Sequence, residues 1–167
     1  NQSAENQVVT TESILNTAKL ALSESQKISL LSIENQLIKA NNAQDSLKSY
    51  KALTQFWADS AQKLAPYLYF SYSAALLENS EKSLTFAAHL FLDNLMTEGE
   101  PAMQNWLASQ AKVLFDKGYI ANYKFEDTGV QGVIKIALKY HPITKTSAIR
   151  KLSRISKPGL RNYAHMS

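Results

Sequence analysis

His89 and Asp93 stand four positions apart, a spacing that puts an imidazole and a carboxylate on one face of a helix. Such a pair can hold a metal ion or work as an acid–base couple, and more often it is a surface hydrogen bond. His141 precedes Pro142 and reads as a turn residue, and His165 stands near the end of the chain. No serine occupies a nucleophile elbow. Gly129-x-x-Gly132 lacks the Lys-Ser/Thr and the following helix of a phosphate-binding loop. The residues therefore specify no catalytic, metal or cofactor site, and no enzyme is expected. The chemistry that stands out is cationic. Lys145, Arg150, Lys151, Arg154, Lys157 and Arg161 occur without an acid among them, and after Asp127 the chain has none. Such side chains neutralise phosphates and release counterions, which gives affinity for nucleic acid without sequence choice. Tyr140 and Tyr163 have the π-faces on which bases stack. These six cations are the candidate nucleic-acid-binding residues. The competing reading is a solvated basic face, or one that docks on the acidic part of the same chain.

Charge divides the chain. The 167 residues carry 18 Lys+Arg and 14 Asp+Glu, a net of +4. Residues 1–111 hold 11 acids and 7 bases, whereas residues 112–167 hold 3 acids and 11 bases. Two compositions in one chain suggest two regions with different partners. The absence of cysteine excludes disulfides, thiolate zinc sites and a cysteine nucleophile. A hydrophobic share of 45% supports a packed core. No apolar run approaches the roughly 18–20 residues that span a bilayer, so no membrane partner is expected. The start at Asn1-Gln2-Ser3 reads as a processed product or a fragment.

The cations need elements to position them. Helical periodicity predicts six helices between Thr10 and Gly118. The first carries Ile14, Leu15, Ala18 and Leu22 behind a cap at Thr10 or Thr11. The second carries Ile28, Leu31, Leu37 and Ile38, and the third Leu47, Tyr50, Leu53, Phe56 and Trp57. Pro66 suits the first turn of the fourth, with Tyr67, Phe70, Ala74 and Leu77 following. The fifth, capped by Asn79 or Ser80, carries Leu84, Ala87, Ala88, Phe91, Leu92 and Leu95. The sixth carries Met103, Trp106, Leu107, Ala111, Leu114 and Phe115. Tyr67, Tyr69, Phe70 and Tyr72 cannot all face one side of a helix, which makes Tyr67, Tyr69 and Tyr72 candidates for a protein-interaction surface.

Beyond Gly118 the period changes to two. Ala121, Tyr123 and Phe125 alternate with polar residues, Asp127-Thr128-Gly129 signals a turn, and residues 133–140 alternate again. This pattern predicts a β-hairpin, extended to three strands by residues 148–155. The expected fold class is mainly α with a small C-terminal β part (α+β): an antiparallel helical-hairpin array followed by a hairpin or small sheet.

Two resemblances add to this reading. Leu84-x-x-Ala87-Ala88-x-x-Phe91, Ala111-x-x-x-Phe115-x-x-Gly118 and the partial Leu53-Thr54-x-x-Trp57 resemble the tetratricopeptide repeat family, in which small residues let paired helices approach closely. The stretch Glu78–Ala88 looks like such proteins of Bacteroidetes-like bacteria. Coverage is about residues 10–117. The second resemblance is to the small-subunit ribosomal protein eight family. It rests on Leu114-Phe115-Asp116-Lys117-Gly118-Tyr119-Ile120, on residues 131–140 (Gln-Gly-Val-Ile-Lys-Ile-Ala-Leu-Lys-Tyr), and on Arg154-Ile155-Ser156-Lys157-Pro158-Gly159-Leu160-Arg161-x-Tyr163. It covers about residues 112–163. Counterparts of that family's first helix and C-terminal domain are not found in the chain.

Together these imply two regions, a helical one over 1–111 and a partial ribosomal-protein-like one over 112–167, sharing the helix around 102–118. The expected origin is a chimera with its seam near Gln110–Lys112, and the alternative is a natural fusion. The first functional expectation is a non-enzymatic protein-interaction or scaffold module, binding a protein or peptide or a copy of itself, with no parental activity preserved. The alternative is rRNA binding through the basic C-terminal segment, which would place the chain in the cytoplasm.

Overall fold

The computed structural model describes residues 8–118. They form six α-helices in a row: α1 (Thr11–Leu20), α2 (Glu24–Lys39), α3 (Ala43–Gln55), α4 (Leu64–Glu78), α5 (Glu81–Thr97) and α6 (Pro101–Gly118). A π-helical turn, Phe56–Ser60, continues α3.

Side-chain caps set most of the starts. Thr10 and Ser13 satisfy each other's backbone N–H at the head of α1, each at 3.1 Å. Ser23 and Gln26 make the same reciprocal box at α2, at 3.2 and 3.0 Å. Asn42 Oδ1 accepts from the Asp45 N–H at α3, and Ser80 Oγ from the Ser83 N–H at α5. Asn79 ends α4 in the left-handed region, φ 52°, where asparagine is among the few tolerated non-glycine residues. The sequence leaves Asn79 and Ser80 as rival caps for α5; the structure uses Asn79 to close one helix and Ser80 to open the next.

Two apolar clusters hold the array. One gathers α4, α5 and α6 around Leu84, Phe91, Leu92, Leu95, Trp106, Leu114 and Phe115. The other gathers α1 to α4 and the π-turn around Leu30, Leu53, Phe56, Trp57 and Phe70. Tyr67 and Tyr69 pack against both. Burying a large apolar side chain contributes about 1.5–3 kcal/mol, so these rows outweigh the weak propensities of single residues. The five-residue π-turn, closed by the Ala61 N–H on the Phe56 carbonyl at 3.0 Å, seats both Phe56 and Trp57 in the core. Their rings meet edge to face at 5.2 Å.

Three expectations need correction or placement. The α+β class gives way to an all-α one: among the described residues there are six α-helices and no strand, because apolar rows at helical spacing cover one another helix on helix and need no sheet. The stretches expected as hairpin and third strand, residues 121–155, lie outside the described residues. Of the stripe assigned to α2, Leu37 faces the core and Ile28, Leu31 and Ile38 do not. Leu30 is buried with Ile33 and Leu37 beside it, while Ile28 and Ile38 are 71% and 80% exposed.

Candidate nucleic-acid interface

The helix that leads toward the basic stretch is α6. Pro101 opens it, where a missing N–H costs nothing, after the corner Glu98–Glu100, in which Gln104 Nε2 donates to the Glu98 carbonyl at 2.6 Å. One face, Trp106, Leu107, Ala108, Ala111, Leu114 and Phe115, is buried. Ala108 and Ala111 let α5 and α6 approach closely, and Phe91 meets Trp106 at 5.8 Å between ring centroids. Trp106 Nε1 reaches across to donate to Thr11 Oγ1 at 3.0 Å, so α6 is pinned to α1 as well.

The other face of α6 is polar. Lys112 is partly buried and Lys117 exposed, with Asp116 between them. Burial raises the Asp116 carboxyl above its ordinary value, and the Lys112 ammonium one turn earlier pulls it back down. Lys117 in the last turn complements the negative end of the helix dipole. The chain thus leaves α6 at Gly118 with two cations already on its outer face. The six candidate cations, Lys145, Arg150, Lys151, Arg154, Lys157 and Arg161, lie outside the described residues, as do His141 and His165.

The candidate interaction tyrosines are all half-buried on α4. Tyr69 and Tyr72 stack at 6.1 Å, and Tyr72 meets Phe91 edge to face at 6.1 Å. Burial raises the Tyr72 hydroxyl above its usual value, with Tyr69 adding to it. Tyr67 also lines a groove of about 280 Å³ between α3, α4 and α5. Its walls include Ala58, Ala74, Ala75 and Ala87, and Lys51 and Glu78 pair at 3.5 Å among its lining residues. Sequence reasoning missed Phe86, which is 62% exposed and lines the same groove. Its signal was its offset from the Leu84–Ala87–Ala88 row. His89 and Asp93 both lie on α5, and among the described residues no group of three or more potential ligands gathers around a metal position. Among the same residues no helix is long and apolar enough to cross a membrane.

With this geometry in view, comparison with known proteins places α6 in a matched segment. Residues 99–167 match the family Ribosomal protein S8. The small ribosomal subunit protein uS8 of Cytophaga hutchinsonii is 76% identical over 54 residues, 32% of this chain and 42% of that protein. That of Christiangramia forsetii is 68% identical over 53 residues, 32% and 40% of the two chains. That of Flavobacterium psychrophilum is 66% identical over 56 residues, 34% and 42%. The chain spans about two-fifths of the length of the curated relatives it matches. The family match begins at Gly99, ahead of the boundary expected at 111/112, and takes in the whole of α6. No solved structure matches the chain.

Proposed function

We propose that this chain binds small-subunit rRNA through its basic C-terminal stretch, as a ribosomal-protein-like RNA-binding protein without catalytic activity. The observation that carries this reading is the Ribosomal protein S8 match over residues 99–167, with 76% identity to one uS8 protein over 54 residues. It favours the rRNA-binding alternative over the scaffold expectation. Lys145, Arg150, Lys151, Arg154, Lys157 and Arg161 supply the phosphate contacts, with Tyr140 and Tyr163 as stacking surfaces. Binding at a ribosome would place the protein in the cytoplasm, with rRNA and neighbouring ribosomal proteins as partners.

In this reading the chain has two regions, 1–111 and 112–167, of different ancestry. They meet inside α6, which serves the helical array with Ala111, Leu114 and Phe115 and leads into the basic region. The tetratricopeptide-type resemblance belongs to the first region, and the uS8-like sequence starts at Gly99 near the end of that region and runs through the second.

The test is fluorescence anisotropy of the full chain with a labelled small-subunit rRNA junction and with an unrelated duplex RNA of equal length. Tighter binding to the junction, weakened by added salt, is the expected result. Absence of binding to either RNA at low salt overturns the reading. Equal binding to both reduces it to non-specific phosphate affinity and rejects a ribosomal role.

A further inference from the structure

Helix α2 packs chiefly on α3, and the row it turns inward is Leu30 with Ile33 and Leu37. Its outer side carries a second apolar row. Ile28, Leu31 and Ile38 are 71%, 57% and 80% exposed. Asn35, also exposed, completes it. Positions 28, 31, 35 and 38 step by alternating threes and fours, the a–d–a–d repeat of a coiled-coil seam. An isolated helix of this length is marginal in water. Here the Ser23–Gln26 capping box and the packing on α3 have already formed it, so a partner meets a preorganised face.

The flanks of the seam are self-complementary. Lys27 and Glu34 take the g positions, and Ser32 and Lys39 the e positions, where salt bridges between paired helices set partner and orientation. In a parallel pair, each g side chain faces the e side chain about five positions further on in the other helix. Glu34 then meets Lys39 of a second copy, twice by symmetry, and Lys27 meets Ser32, so no like charges are opposed. Lys39 makes no ion pair among the described residues. Glu34 is held by Lys19 at 2.6 Å through one carboxylate oxygen and keeps the other for a second cation. Asn35 decides the orientation. In a parallel pair it faces its own counterpart, and the two side-chain amides hydrogen-bond across the axis. In the antiparallel pair that sets Ile28 against Ile38, Asn35 lies against Leu31 and its amide loses that partner.

We propose that two copies of this chain associate through α2, side by side and parallel, with Ile28, Leu31, Asn35 and Ile38 of each helix along one two-fold axis. From Ile28 to Ile38 the seam runs about 15 Å at about 1.5 Å per residue. Such a small interface sits at the weak end of specific ones, and association in the micromolar range is expected. The proposal does not rest on RNA binding, since every residue it uses lies in α1 or α2.

The test uses the full chain, treated with nuclease so that RNA cannot bridge copies. Sedimentation velocity across the micromolar range is expected to show a shift from monomer to dimer. Ile38→Lys, at an exposed position that leaves helicity by circular dichroism unchanged, is expected to abolish the shift. A monomer at every concentration overturns the proposal, and so does a dimer that persists in Ile38→Lys. A second measurement reads the orientation and exploits the lack of cysteine. Ile28→Cys on the seam and Gln36→Cys beside it are oxidised mildly and run on a non-reducing gel. The disulfide-linked dimer is expected to form at least about tenfold faster in Ile28→Cys, because a parallel pair holds the two thiols at high effective concentration. Equal rates overturn the parallel seam.

Discussion

Trp106 Nε1 donates to Thr11 Oγ1 at 3.0 Å across 95 positions of sequence. This bond joins the first helix to the last and is the longest-range side-chain hydrogen bond among the described residues. Trp57, the other tryptophan, is fully buried with no acceptor for its indole N–H. The two rings thus test what a hydrogen bond adds to burial. A double-mutant cycle with Thr11→Val and Trp106→Phe is expected to give a coupling energy of about 1 kcal/mol by urea unfolding. Additivity within about 0.3 kcal/mol would show that the bond contributes nothing net.

Gln62 follows the π-turn with φ 52°, a left-handed conformation that strains a side chain. That region costs an ordinary L-residue roughly 1–2 kcal/mol. Gln62→Gly relieves the strain and adds unfolded-state entropy, so the expected net gain is below about 1 kcal/mol. Asn79→Gly, at the same φ, gains less because asparagine tolerates that region. Thermal unfolding of both variants checks the ranking, and a loss of stability in Gln62→Gly would refute the strain argument.

Asp116 supplies a pH test. Its carboxyl is raised by burial, so the folded chain holds the proton more tightly than the unfolded one. The resulting stabilisation is complete below the ordinary aspartate range and is lost as pH rises through the raised folded value. Stability measured by urea titration is expected to show this fall from the acid side, and Asp116→Asn is expected to remove it. At neutral pH the variant also relieves an acid in the last turn of a helix, worth about 0.3–1 kcal/mol before the loss of the Lys112 attraction. A wild-type slope that persists in Asp116→Asn would assign the effect to another group.

RNA binding carries a quantitative signature. If Arg150, Lys151, Arg154 and Lys157 each contact a phosphate, replacing any one with alanine lowers the slope of log affinity against log salt by about 0.7–0.9. Affinity falls for all sequences alike, because these contacts position RNA without reading it. An unchanged slope removes that residue from the interface.

Much of the helical part could be read from residue spacing. The α5 row Leu84, Ala87, Ala88, Phe91, Leu92 and Leu95 is buried throughout, since every member recurs at three or four positions. Two starts were marked by neighbouring polar pairs, Thr10-Thr11 and Asn79-Ser80, of which Thr10 and Ser80 make the caps. Helix α2 misled because it is apolar on two sides: Ile28, Leu31 and Ile38 form as regular a stripe as Leu30, Ile33 and Leu37, and only the position of α3 decides which is covered. The π-turn left no spacing signal, because one widened turn changes which neighbours are buried without changing residue types. The Thr11–Trp106 bond was invisible for a related reason, as tertiary contacts across the chain have no period. The ribosomal likeness was legible in contiguous motifs, whose residues need no fold to be compared. Where the two regions divide is a separate matter, since Pro101–Ala111 belong to α6 and to the matched segment at once.

Helical arrays whose neighbours touch only pairwise come apart stepwise, each hairpin melting at its own temperature. Here α4 works against that. Tyr67 and Tyr69 are shared by both apolar clusters, so opening either cluster strips contacts from rings that the other also needs. Two side chains one residue apart thereby act as a weld between what would otherwise be separate melting units, and the described helices are expected to unfold in a single calorimetric transition.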